Sequence, residues 1–365
     1  DQYAQIVRDL ATEHRLGPLK LGLIKHDMTR GYLRGLLRKG TTIRGLDGFT
    51  LLQRRDIERT THFVPVMGVE PIMEALTEEP DVIITSRTSD CCPFAAFAMH
   101  HGYNADLAYF WGKVLECGSF VAYPKLVNHS VLGTIYDDRI AVTAIHDEQR
   151  VTPLSLRKHA AYERSSFKGE AVAGGFIHID GMEAEEVDEK TSAAWGSRFE
   201  PSPTFNVKLE GAGYVGHKAE YLVGIRSQSF IQKLDDVISF TRQELSNSYK
   251  GVPYELYFSR YGIDGVLGAR EPQKRDQIHE VGLLIEVIAA KKELAMEIAK
   301  LAGRLLLFTP VLSERGSAGR VQLRNEEASY YGKAYEWTMN HIIEFASAQD
   351  AAAHFPITYE TVKPI

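Results

Sequence analysis

The segment DVIIT at 81–85 puts four apolar or β-branched residues in a row, without the apolar–polar alternation of a half-exposed strand. A short run of that kind is covered on both faces, and such strands belong to parallel sheets flanked by helices. The neighbouring segments agree. LKLGLI at 19–24 and HFVPV at 62–66 are further strand candidates, while 28–39, 69–77, 93–102 and 106–118 carry helical patterns. Strand alternating with helix predicts an α/β fold, with a mainly parallel α/β layer over residues 1–150.

Beyond that layer the pattern changes. RIAVTAI (139–145), GFIHID (175–180), FNVKLEG (205–211) and AEYLVGI (219–225) alternate like strands, with Gly, Pro, Asp and Asn between them. This predicts a second, mixed or antiparallel α+β domain over 151–312. Within it, Ser229 with Gln232 reads as a capping box opening a helix, 252–262 as a strand, and 274–306 as a helix broken near Gly303. Residues 313–365, polar and then aromatic, read as a small C-terminal appendage. A chain of 365 residues is too long for one small core, which agrees with this division.

Composition excludes several functions. Lys plus Arg is 42 against 48 Asp plus Glu, a net charge of −6, so no basic excess exists to hold nucleic acid. No apolar run reaches the ~18 residues of a membrane span. Three cysteines do not make a disulfide framework, which points to a reducing, cytoplasmic setting.

The loop SRTSD at 86–90 follows the apolar run and precedes a helix, where open parallel sheets collect ligands. Arg87 is suited to clamp a carboxylate or phosphate, and Thr88 and Ser89 to donate hydroxyl bonds. Asp90 could orient Arg87, accept a substrate hydrogen bond or act as a base. The plainer reading is that Ser89 or Asp90 caps the helix and Arg87 forms a structural ion pair. HAAYE at 159–163 joins a proton-transfer imidazole to a phenol and a carboxylate, although a lone histidine is more often structural. Lys208 and Glu210 share one face of a strand, as a site pair or as a plain ion pair. GAGYVG at 211–216 matches the dinucleotide fingerprint, but a strand pattern follows where a helix is required, so the glycines are read as a bend between two strands. His279 and Glu280 are adjacent and point ~100° apart on a helix, so they make no chelating pair. No metal site is expected, since no zinc-type spacing is present. Cys117 and Cys92 are nucleophiles only if their thiolates are stabilised. Residues 25–59 hold nine Lys/Arg against four Asp/Glu, and Arg30, Arg34 and Arg38 share a helix face, suited to phosphates or simply solvated.

Taken in order, GVEPIMEAL, DVIITSRTSD, LECG, HAAYE, GSRFEPSPTFNVKLEGAGYVGHK, GIRSQSFIQKLDD, YELYFSRYGIDGVLG and HEVGLLIEVIAAKKELA resemble successive motifs of the acyclic terpene utilisation (AtuA-type) family, over roughly residues 60–310. Ser86 stands where the family usually has Gly. The resemblance implies a place in the breakdown of citronellol- and geraniol-type terpenoids through CoA thioesters. By position it marks Arg87 and Asp90; His159, Tyr162 and Glu163; Lys208, Glu210 and Gly211; Tyr261, Gly262 and Gly265; and His279 and Glu280.

Together these readings predict an enzyme of carboxylate or acyl-CoA catabolism with lyase or hydratase chemistry. Arg87 would hold the anion with Thr88, Ser89, Glu210, Tyr261 and His279 around the substrate. His159 or Glu163 would be the base, Asp90 would orient Arg87, and Tyr162 or Lys208 would stabilise an oxyanion. No cofactor is required by any visible motif; CoA would enter as part of the substrate. The expected partners are a small carboxylate or CoA thioester and a second copy or small partner domain, with no nucleic acid and no membrane. The rival readings are a non-catalytic acyl-CoA-binding subunit and, more weakly, a thiol-dependent hydrolase.

Overall fold

A computed structural model describes residues 2–126, 129–162, 166, 168–273, 277–309 and 320–363. It is a mixed α/β fold whose chain forms two compact units: residues 1–211 with 338–365, and residues 212–337.

In the first unit, Leu19–Ile24 is the centre of a three-stranded sheet, parallel to Val82–Thr85 and antiparallel to Ile357–Val362. Both faces of Val82–Thr85 are covered, as its apolar run requires. Val82 and Ile84 pack with Ala4, Ala11 and Leu21 under the helix Gln2–Glu13, and Ile83 packs on the main core. His62–Val66 does not join this sheet; it pairs with the long strand Phe205–Ile225. Only its exit returns, where Met67 bridges Thr88 in parallel.

The helices Cys92–His100 and Ala105–Leu115 follow. Asn104 caps the second by accepting the Leu107 N–H at 2.9 Å. The two helices meet at Gly112, where an added Cβ would lie 2.4 Å from the Cys91 carbonyl oxygen. Next comes an antiparallel sheet in the order Val131–Ile135, Ile140–Ala144, Thr191–Trp195, Glu183–Glu186. The helix Pro153–Ala160 packs on it, started by a reciprocal Thr152–Ser155 capping box. Ile24, Phe110, Ile140, Leu156, Ile177, Leu209 and Met339 share one core. A shared core explains why the first unit runs on to Gly211 instead of dividing at 150.

The second unit has its own core. Its elements run strand, helix, strand, strand, helix, strand. The later part of Phe205–Ile225 leads to the helices Gln228–Gln232 and Leu234–Ser248, then Tyr254–Tyr261, Val281–Ala289, the helix Lys292–Phe308, and the early part of Ser329–Phe345. The sheet order is Tyr254–Tyr261, Val281–Ala289, Phe205–Ile225, Ser329–Phe345, which is the ferredoxin-like βαββαβ arrangement.

Three expectations need correction. The helix expected over 274–306 and broken near Gly303 is, in its described part, the strand Val281–Ala289 followed by the helix Lys292–Phe308, which runs unbroken through Gly303. Val281, Leu283, Ile285, Val287 and Ala289 point inward with period two, while apolar Leu284 and Ile288 on the other face fill the gaps and hide the alternation. GAGYVG lies inside one continuous strand, not at a bend between two, and opens no helix. The tail is no appendage: Met339, Ile343 and Phe355 enter the main core, and Ile357–Val362 completes the first sheet.

Candidate functional site

The strand Val82–Thr85 ends at the expected loop, and the chain holds that loop by its backbone. Ser86 N–H donates to the Ile24 carbonyl at 2.7 Å, Met67 N–H to that of Arg87 at 3.0 Å, and Ser89 N–H to that of Met67 at 3.1 Å. Thr88 Oγ1 donates to the Met67 carbonyl at 3.2 Å, so its hydroxyl serves the loop. Ser89 Oγ lies 3.8 Å from Cys91 Sγ. Cys91 occupies the helix cap expected of Ser89 or Asp90, and its side chain makes no capping bond.

Arg87 Nη1 donates to the Thr88 carbonyl at 2.7 Å and to Asp90 Oδ1 at 2.5 Å. Its Nε lies 3.5 Å from Glu210 Oε2, and Lys208 Nζ donates to Glu210 Oε1 at 2.8 Å. Four of the expected residues therefore form one cluster in which two cations balance two carboxylates. The Asp90 hydrogen bond, opposed by burial and helped by Glu210, pushes the Arg87 pKa further up. The guanidinium is thus engaged within the protein. Nearby, buried Lys113 bridges Glu116 and Glu170. Burial pulls the Lys113 pKa down, but its two carboxylate partners outweigh that and leave it raised. Burial raises the Glu116 carboxyl, partly offset by Lys113, and nearby Glu170 and Asp90 add to the rise.

His159 and Tyr162 sit elsewhere in the first unit, on a cavity of about 560 Å³. Phe120, Val121, Ala122 and Leu154 give it an apolar wall; Lys125, Lys158, His159 and Tyr162 give it polar groups. The capping box aims the helix Pro153–Ala160 so that Ser155, Lys158, His159 and, just past its end, Tyr162 reach the same space. His159 is only 6% exposed, and its Nε2 lies 2.9 Å from the Val114 carbonyl at the end of Ala105–Leu115. A carbonyl only accepts, so Nε2 carries the hydrogen of this bond. Tyr162 lies nearly parallel to the imidazole, 6.0 Å between ring centres. Lys125 hydrogen-bonds the Phe120 carbonyl and lies over the Phe120 ring. Arg87 does not line this cavity.

A family model matches residues 1–341, and its description is "Acyclic terpene utilisation family protein AtuA". The chain belongs to that family. No curated protein and no solved structure matches it significantly.

The remaining expected residues are placed differently. Glu163 lies outside the described residues. Tyr261 and His279 belong to the second unit, at one end of the pairing between Tyr254–Tyr261 and Val281–Ala289. Both are exposed, and His279 precedes a strand instead of sitting on a helix. Cys92 is fully buried, and its bond with Cys91, together with burial, pushes its thiol pKa far up, so it is no thiolate nucleophile. Arg34 pairs with Glu58, and Arg30 binds the Thr61 carbonyl. Among the described residues no set of three or more His, Cys, Asp or Glu is arranged to hold a metal, and no helix is long and apolar enough to cross a membrane.

Sequence reasoning missed the lysines of the cavity and also Glu70. One Glu70 carboxyl oxygen is buried without a hydrogen-bond partner, and burial raises its pKa, partly offset by its own backbone N–H. Two of the AtuA-like segments contained the missed acids: Glu70 lies in GVEPIMEAL and Glu116 in LECG. Lys125 and Lys158 carried no signal, because a surface lysine in a sequence looks like any other.

Proposed function

We propose that this AtuA family member takes part in acyclic terpene utilisation as an enzyme acting on a branched, apolar carboxylate or its CoA thioester. The observation that carries this reading is the His159 cavity. Its volume lies within the ~300–1,000 Å³ usual for small-molecule sites, and its lining joins an apolar wall to a few polar groups. The hydrocarbon would lie along Phe120, Val121 and Leu154, with the anionic end toward Lys158. The chemistry we assign is reversible hydration, or the related elimination, beside the acyl carbonyl. His159 moves the proton and the Tyr162 hydroxyl polarises the carbonyl. The Arg87–Asp90–Glu210–Lys208 cluster is read as holding the preceding loop in place, with the substrate anion left to the cavity lysines.

The test pairs turnover with binding. Purified protein is given ten-carbon branched unsaturated acids and their CoA thioesters, and hydrated product is followed by mass spectrometry. His159→Gln keeps a side-chain donor for the Val114 carbonyl but removes the proton acceptor. We expect at least a ~100-fold loss of turnover with affinity kept within a few-fold. Equal turnover in the variant would remove His159 from the mechanism. The burial of His159 favours a second reading, an acyl-CoA-binding subunit in which the histidine is structural. Binding without turnover in the unaltered protein would select it.

A further inference from the structure

The strand Leu19–Ile24, parallel to Val82–Thr85, leads directly into Lys25, His26 and Asp27, at the end of the sheet where parallel strands collect ligands. Thr29 then caps the helix Arg30–Arg38 by accepting the Tyr32 N–H at 3.1 Å, which seats Tyr32 in the first turn. Far along the chain, His354 returns to the same place. Its Nδ1 lies 2.8 Å from Asp27 Oδ1, and its Nε2 lies 3.0 Å from the Tyr32 hydroxyl. Carboxylate, imidazole and phenol thus stand in series.

The series has one direction for its protons. An ionised carboxylate only accepts, so Nδ1 carries a hydrogen. In the neutral imidazole Nε2 is then bare, and the Tyr32 hydroxyl donates to it. Burial, with Asp27 adding to it, pushes the Tyr32 pKa up, so the phenol keeps its proton until a base takes it. The imidazole is steadied by the Tyr32 ring at 4.6 Å and the Phe345 ring at 5.5 Å between centres. A hydroxyl, a base within hydrogen-bond reach and a third group orienting that base are the parts of nucleophilic catalysis.

The tail is held without these side chains. Lys25 N–H donates to the Pro356 carbonyl and Asp27 N–H to the His354 carbonyl, both at 3.1 Å. Phe355 enters the main core, and Ile357–Val362 pairs along Leu19–Ile24. The array also opens to solvent: the Asp27 side chain is 56% exposed and that of His354 20%, and Tyr32 is half-buried. We propose that Tyr32 is a nucleophile for acyl transfer, with His354 as its base and Asp27 as the positioning residue, and that its substrates are activated carboxylic esters. Tyr32 Oη attacks the acyl carbonyl while its proton passes to His354 Nε2. The bond to the leaving oxygen breaks, His354 returns the proton to that oxygen, and an acyl-tyrosine remains. Water then attacks the acyl group, its proton passing through Nε2 to the departing Tyr32 oxygen. None of the three residues lines the His159 cavity, so this activity stands apart from the one proposed there.

Two probes of the full chain test this. Hydrolysis of p-nitrophenyl acetate reads turnover, and an aryl sulfonyl fluoride, which loses fluoride to the attacking oxygen, marks the nucleophile for peptide mapping. We expect the sulfonyl group on Tyr32. Tyr32→Phe keeps the packed ring, and both it and His354→Gln should lower hydrolysis at least ~100-fold with circular dichroism unchanged. Asp27→Asn should lower kcat at least ~10-fold with KM unchanged, a split that a merely structural residue would not produce. Labelling of His354 or a lysine in place of Tyr32 would overturn the proposal. Hydrolysis as fast in Tyr32→Phe or His354→Gln as in the parent would do the same, and an unchanged kcat in Asp27→Asn would remove Asp27 from it.

Discussion

Glu70 shows most clearly how one residue can set a measurable property of the molecule. A carboxyl with a buried, unpartnered oxygen is easier to keep neutral than charged, so burial raises its folded-state pKa. The folded chain therefore holds this proton more tightly than the unfolded chain does. Between the ordinary carboxylate value and the raised one, stability must fall as pH rises, and above that window the cost is paid in full. Glu70→Gln removes the titration. Denaturant midpoints of variant and parent are expected to agree at low pH and to separate as pH climbs past the carboxylate range, the variant being the more stable. A constant gap at every pH would contradict this. At this scale the sequence was readable where chemistry and spacing coincide. Lys208 and Glu210, two apart on a strand, pair as expected, and Arg87 and Asp90, three apart in a loop, do too. It was not readable where a partner comes from far along the chain. Nothing near Arg87 announces Glu210, and nothing near His159 announces the Val114 carbonyl.

Elements depend on close approaches that a sequence leaves unmarked. Gly112 sits in mid-helix, where Ala would ordinarily gain about 1 kcal/mol of helix propensity. Here an added methyl would lie 2.4 Å from the Cys91 carbonyl oxygen, so the helices Cys92–His100 and Ala105–Leu115 would have to separate. Overpacking of that kind costs ~1–3 kcal/mol and outweighs the propensity. Gly112→Ala is expected to lower the urea midpoint, and an unchanged or raised midpoint would show that the helices yield. The helix Pro153–Ala160, which carries the cavity residues, starts with Thr152 and Ser155 in a reciprocal cap that the sequence reading passes over, while the box expected at Ser229 is not formed: Ser227 caps Gln228–Gln232 and Ser229 lies within that helix. Strand and helix were confused where both faces of a strand are apolar. Val281–Ala289 has period two in its burial but not in its hydrophobicity, so its alternation was lost and the following true helix, Lys292–Phe308, was extended backwards over it.

Over the whole molecule, the order of the chain is not the order of its cores. Residues 212–337 interrupt a unit whose pieces, 1–211 and 338–365, share a sheet and a core. Composition along the chain carries no trace of that return, which is why the expected boundaries at 150 and 312 differ from the compact units. Because the inserted unit has a core of its own, a fragment of 212–337 is expected to fold, with a cooperative thermal transition and dispersed amide resonances; a fragment without either would show that its core is incomplete. The functional account rests on the first unit and on its cavity beside His159. The most direct measurement is calorimetric binding of a ten-carbon branched carboxylate, free and as its CoA thioester, to the parent protein and to Leu154→Glu, which puts a charge on the exposed part of the apolar wall. The account predicts saturable one-to-one binding to the parent and affinity at least ~10-fold weaker in the variant. Equal affinity in both proteins, or none in the parent, would contradict it.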